Sequence, residues 1–576
     1  MLDKYYQQEL TYLRELATEF AALHPGLAPL LAGQSTDPDV ERILEGSAFL
    51  SGLIQQKLDS NFPELLHGLL EFIFPHYLRP LPAATLIEFK PKQGLRELIR
   101  VPRGITVNSV ESEGVRCTFT TCQDVDIAPI SISSLEFKST GKTTGLLRID
   151  LSVPGAELKQ LHLTKIRFFL AGEYHIAAER HWVVMTRTRK LTLVGANGLR
   201  LSLAPSAIKQ VGFHASQALF PYPTRSFPGY RILQELFCLP EKFLFFDVTG
   251  LDVLRTQDFG GSFSLEFEFG DLPADMPSMR AEHFKLFVTP AVNLFQHDAD
   301  PILLDHTRAD YLVRPSSGQS GGYQVHTINQ VMGFVHGSVN PREYLPFALF
   351  NPQAKAMAVY SLHHRQSPLS GKAELFISVA HPTAKNETTT ETLSLDLLCT
   401  NGAVPDTLRA GDIRIPTESS PVLADFANIT APTAQVLPPL GKDVLWRVLS
   451  HLFLNYHSIA NADNLRALLK VYIFQETRNR AAVLANTKRI ESIKSVELKA
   501  ADRFFHGALL RGQEIVVEVD PQGFVGRGDL YLFGSVLDVF FANYAALNCF
   551  TRLSLQDPSH KERFTWPTRL GDRTLL

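Results

Sequence analysis

Residues 61–82 read NFPELLHGLLEFIFPHYLRPLP, and the organisation of the whole chain follows from how this segment can be buried. Asn61 suits an N-cap and Pro63 a first turn, so a helix starts here. Between 62 and 74, Phe62, Leu65, Leu66, Leu69, Leu70, Phe72, Ile73 and Phe74 cover nearly the whole circumference of that helix. Packing on one side against a single core cannot bury such a surface. Pro75 stops the helix, and Arg79-Pro80-Leu81-Pro82 leaves it in an extended conformation. The run is too short to span a bilayer. Other helices must wrap it, from this chain or from a partner, which points to a subunit of an assembly.

Upstream, Leu2, Tyr6, Leu13, Leu16, Phe20 and Leu23 form a helical stripe over 2–24 that ends at Pro25-Gly26. Asp37-Pro38-Asp39 opens a second helix, continued by Val40, Ile43, Leu44, Leu50, Leu53, Ile54 and Leu58. Three helices are too few to cover the third. Residues 1–82 therefore read as a helical segment that joins a mixed bundle with partners.

From 83 the hydrophobic period changes to two, as in 85–90, 147–153, 166–170 and 199–203. Residues 83–205 read as a β-rich domain of antiparallel hairpins, and 206–435 as a mainly β middle domain with long loops. Helices return in 436–576. Val444, Leu445, Val448, Leu449, Leu452 and Phe453 share one face, and Leu465, Leu468, Leu469, Tyr472 and Ile473 another. A strand at 514–520, an apolar helix at 530–547 and a strand at 551–555 complete a C-terminal α+β domain. The expected fold class is multidomain α+β, with an N-terminal helical bundle segment and a central antiparallel β region.

At 576 residues the chain is too long for one core. It is 45% apolar and 20% charged, which is ordinary for a globular protein. A formal charge of −3 offers no basic face for nucleic acid or anionic lipid. Met1 leads straight into an amphipathic helix, and no run of eighteen apolar residues occurs, so neither a signal peptide nor a membrane span is expected. Five scattered cysteines fit reduced thiols in the cytoplasm better than a disulfide framework.

Several short motifs carry chemistry only in the wrong context. Ser139-Thr140-Gly141-Lys142-Thr143 ends like a phosphate loop, but Glu136 stands where the first glycine is needed and strands flank it on both sides, so it reads as a hairpin turn. Gly318-Gln319-Ser320-Gly321-Gly322 spells a nucleophile elbow, yet an alternating strand follows where a helix is required. His297, Asp298, Asp300, Asp305 and His306 are interrupted by Pro301 and Ile302-Leu303-Leu304, so surface or backbone-bonding roles are expected rather than a metal site. Cys117 and Cys122 lack a second pair and read as buried thiols; His363-His364 and 187–190 read as solvated faces. No catalytic set, cofactor or metal site is expected.

Longer strings point elsewhere. YYQQELTYLR at 5–14, DPDVERILEG at 37–46 and FPELLHGLLEFIFPHYLRPLP at 62–82 resemble the TssF family, baseplate subunits of bacterial type VI secretion systems. So do GYRILQELFCLPEKFLFFDVTGL at 229–251, AVNLFQHDADPILLDH at 291–306 and LSLDLLCTNGAVP at 393–405. LPPLGKDVLWRVLSHLFLNY at 437–456 and YLFGSVLDVFFANYAALNCFTRL at 531–553 extend the likeness to the C-terminal region. The resemblance implies a non-enzymatic wedge scaffold. It implies two copies of this chain per TssG, contacts with TssK, TssE and the VgrG spike hub, and a link to the membrane complex only through other subunits.

The expected partner contacts are Leu13, Leu16, Phe20, Leu50, Leu53, Leu66, Leu69, Phe72 and Phe74 of the N-terminal helices. A second expected contact is the C-terminal helix at Phe533, Leu537, Phe540 and Phe541. The rival readings are a serine hydrolase built on Ser320 and a glycan-binding β module.

Overall fold

The computed structural model describes residues 2–23, 38–59, 70–71, 74–222, 226–305, 307–316, 322–335, 341–347, 358–366, 373–380, 390–438, 461–473, 480–505, 508–545, 547, 549–558 and 562–571. The two N-terminal helices are α1 (Leu2–Leu23) and α2 (Pro38–Asp59), and they pack against each other. Leu10, Ala48 and Gly52 are buried, and Leu13 and Ala17 are half-buried. Arg14 pairs with Glu41 across the hairpin.

Most of the opening segment, including Leu66, Leu69 and Phe72, lies outside the described residues. Its end is clear. Pro75–Tyr77 forms a single 3₁₀ turn, consistent with a proline that cannot continue a helix. Leu70, Phe74, Tyr77, Leu78 and Leu81 are buried in the largest core of the chain. The wrapping is done there by this chain itself: Phe74 meets Tyr230 edge-on, and the Tyr77 hydroxyl donates to the Val471 carbonyl at 3.1 Å.

The β region is built of antiparallel sheets, as the alternating pattern predicts. Pairing nevertheless runs across the expected break at 205/206. Phe245–Thr249 pairs with Lys165–Leu170, and Ser262–Phe269 lies between Gly145–Ser152 and Thr188–Gly195. A six-stranded sheet joins Ala84–Pro91, Thr106–Ser112 and Val115–Thr121 to Val288–Val292, Ile413–Ile415 and Ala424–Asn428. Alternation shows which face of a strand is buried, not which strand lies beside it. The segment at 139–143 is the turn between two paired strands, with the Thr140 amide donating to the Thr144 carbonyl at 3.0 Å. A separate core holds a further sheet centred on Glu391–Thr400 and Gln324–Val335.

Helix α3 (Tyr174–Arg187) and helix α4 (Pro228–Cys238) sit among these sheets. In the C-terminal region, α5 (Ala462–Val471) and α6 (Arg480–Glu491) precede a long hairpin, Ile493–Phe505 with Ala508–Val519. Helix α7 (Arg527–Ala542) follows, and Cys549–Asp557 then lies parallel to the second hairpin strand. The expected helix at 440–456 lies outside the described residues.

Candidate assembly interface

Helix α7 is rich in large apolar side chains, and the chain itself buries most of them. Phe533, Leu537, Phe540 and Phe541 are each no more than 2% exposed, packed among α3, α4 and the Cys549–Asp557 strand. Gly528 makes the crossing with α3 feasible: a Cβ there would lie 2.2 Å from the Ala178 carbonyl carbon. Glu179 accepts the Gly528 amide at 2.7 Å, and Asp529 joins Tyr174 and Arg489 at 2.9 and 3.0 Å. These four side chains, expected at a partner contact, lie in the chain's own core, and Phe74 is buried in the same way, at 4% exposed.

The N-terminal hairpin behaves oppositely. Tyr12, Leu16 and Phe20 stand 57%, 41% and 47% exposed at successive i, i+4 positions of α1, beside the ridge that meets α2. On α2, Ile43, Phe49 and Leu50 are 69%, 46% and 63% exposed. Leu13 is half-buried in the contact between the helices, and the side chain of Leu53 lies outside the described residues. The sequence reading missed Tyr12, Ile43 and Phe49. Tyr12 is recoverable from its spacing with Leu16, and Ile43 belongs to the apolar run that continues the second helix.

The residues singled out for chemistry have structural work. The His297 ring and the Ser316 carbonyl are hydrogen-bonded, and the Ser316 amide donates to the Asp298 carbonyl at 2.8 Å. Asp305 accepts from Thr307 and Tyr311 at 2.7 and 2.8 Å, bonds that hold its carboxyl below the usual range. Among the described residues no group of three or more ligands is placed to hold a metal. Ser320 and His306 lie outside them. Burial pushes the thiols of Cys122, Cys238 and Cys399 up to about 12 and that of Cys117 to about 11, so these four stay protonated.

One buried charge cluster sits inside the 229–251 string. Glu235, fully buried, accepts from Arg231 at 2.9 Å, from Lys242, and from the Leu219 amide at 2.7 Å. Burial lowers Lys242 to about 8. Three donors on one carboxylate pin the 213–219 loop to α4, and removing Glu235 would leave two buried cations without their carboxylate.

The sequence matches, over residues 1–573, the profile of the family described as Type VI secretion system, TssF. The chain belongs to the TssF family. It is 28% identical over 626 aligned positions to the type VI secretion system component TssF1 of Pseudomonas aeruginosa strain PAO1, covering 100% of this chain and 99% of that protein. The fold superposes with a TM-score of 0.79 and 26% identity on a chain of the solved type VI secretion system TssK-TssF-TssG baseplate subcomplex, covering 93% of this chain and 99% of that one. A chain of a second solved type VI baseplate complex shares the fold, with a TM-score of 0.64, 22% identity and complete coverage of both. Among the described residues no helix is long and apolar enough to cross a membrane.

Proposed function

We propose that this chain is a structural subunit of a type VI secretion baseplate, assembled with TssG and TssK. The N-terminal hairpin is its docking element. The observation that carries this reading is that Tyr12 and Leu16 of α1 and Ile43, Phe49 and Leu50 of α2 stand exposed, while Phe533, Leu537, Phe540 and Phe541 of α7 are buried. Family membership and the likeness to the TssK-TssF-TssG subcomplex supply the partners. Further contacts with TssE and the VgrG hub, and a ratio of two copies to one TssG, belong to the same proposal. Its five free cysteines suit the reducing cytoplasm. Scaffolding of this kind works through several weak contacts made at once.

Co-expression of the tagged chain with TssG and TssK, followed by mass measurement of the purified complex, tests the proposal. A stable species with two copies of this chain per TssG is expected. A chain that purifies alone in their presence overturns it.

A further inference from the structure

The C-terminal sheet ends in an open edge. Ile493–Phe505 is its outermost strand, paired on one side with Ala508–Val519; among the described residues no strand pairs with its other side. Arg466 donates to the Ile493 carbonyl at 2.6 Å and closes the start of that edge, and the ladder shifts register between Ile493 and Ser495. Beyond this point Lys494, Glu497, Lys499, Ala500, Asp502 and Phe504 are exposed. Such a strand is a template for another.

We propose that this edge pairs antiparallel with the same edge of a second copy of the chain, about a two-fold axis through Leu498. Residues equally spaced on either side of Leu498 then face each other. On one face Glu497 opposes Lys499 and Lys499 opposes Glu497, while on the opposite face Lys494, at the irregular start, comes level with Asp502. On that opposite face Val496 opposes Ala500 and Leu498 meets itself. Val496 and Leu498 already pack, partly buried, against the main core, so pairing continues an apolar layer from one copy into the next. The register is selective. Sliding by two residues sets Glu497 on Glu497 or Lys499 on Lys499, which repel. Sliding by one turns the apolar row to the wrong face.

Charged residues on an edge ordinarily guard it against pairing. These alternate in sign and are complementary under the two-fold axis, so they select the second copy rather than repel it. The exposed end of the hairpin agrees. Phe504 and its cross-strand neighbour Leu509 are 81% and 56% exposed, beyond Arg511, where pairing with the parallel strand ends. Pairing brings Phe504 to the other copy's Ser492. Ser492 packs on Gly523, two residues before Val525, which is 61% exposed.

The test is Leu498→Cys in the full chain under mild oxidation, with the linked peptides mapped by mass spectrometry. Facing Cα atoms of an antiparallel pair lie about 4.5–5.5 Å apart, within disulfide reach. A dimer linked from 498 to 498 is expected, absent from the unsubstituted chain and from Ala500→Cys. Glu497→Lys should lower its yield at least tenfold, and Glu497→Lys with Lys499→Glu should restore it. Leu16→Asp should leave it unchanged, because this contact does not depend on the N-terminal hairpin. A chain that shows no 498–498 link, or links equally from 500, or is indifferent to the charge reversal, overturns the proposal.

Discussion

Gly528 shows how a single residue can invert a propensity argument. Near the start of α7, replacing glycine by alanine should gain up to about 1 kcal/mol of helix stability. Here the added methyl meets the backbone of Ala178 and Glu179 at 2.2–2.3 Å, and backbone cannot turn aside. Overpacking of this kind costs about 1–3 kcal/mol, so the clash wins. Gly528→Ala is expected to lower the urea midpoint, whereas Gly46→Ala on α2, where a Cβ meets nothing within 4 Å, is expected to hold or raise it. Equal responses from the two would show that α3 and α7 do not cross so closely.

The buried histidines act through their protons. His76, His181 and His326 are held neutral by burial, which lowers them to about 3, 4 and 3. Their depressed values mean the unfolded chain binds protons below about pH 6.5 that the folded chain refuses. Their contribution is complete above pH 6.5 and drains away as pH falls. At pH 5 the loss is about 2 kcal/mol for each. Asp538 opposes this, since burial raises it to about 6 and its protonation returns about 1 kcal/mol over the same range. The histidines win, so the denaturation midpoint should fall between pH 7.5 and pH 5. His76→Phe, which keeps a ring among Phe74, Tyr222 and Tyr472, should reduce that fall by about a third. A midpoint that rises towards pH 5 would mean these rings are protonated in the fold.

At the scale of elements, much was legible and one thing was not. The starts and stops of α1 and α2, the 3₁₀ turn at Pro75 and the turn at 139–143 follow from caps, prolines and periodicity that act within a few residues. The role of an apolar helix does not. Leu16 and Phe540 look alike in sequence, and what separates them is whether α3 and α4, hundreds of positions away, come to cover the surface. A helix as rich in large apolar side chains as α7 needs enclosure, and the sequence could not say that its own chain supplies it. The exposed row on α1 is the converse case. Leu16→Asp should therefore leave the far-ultraviolet dichroism and melting of the free chain unchanged while abolishing co-purification with TssG. Phe540→Asp, which buries a charge, should unfold the C-terminal region outright. If Leu16→Asp still assembles, α1 is not a docking surface.

At the scale of the molecule, the core ignores chain order. One cluster takes residues from 70 to 294 and again from 465 to 566, and the six-stranded sheet gathers strands from three separated stretches. Pairing over such distances depends on shape and burial rather than on sequence order, which is why the sheets run across the break expected at 205/206. The opening segment is tied into this arrangement, because Leu70, Phe74, Tyr77, Leu78 and Leu81 enter the shared core, while Tyr12 and Leu16 of α1 and Ile43, Phe49 and Leu50 of α2 stand exposed. Burying five such side chains is worth about 1.5–3 kcal/mol each. Their sum is comparable to the whole net stability of an ordinary domain, about 5–15 kcal/mol. Removing residues 1–59 should then leave a chain that melts cooperatively and resists protease but no longer binds TssG. Removing 1–82 should leave one that is protease-sensitive and lacks a cooperative transition. If both shortened chains melt alike, the segment at 70–81 is held by the core without helping to hold it, and the docking hairpin would be tethered to the molecule by a strap rather than seated in it.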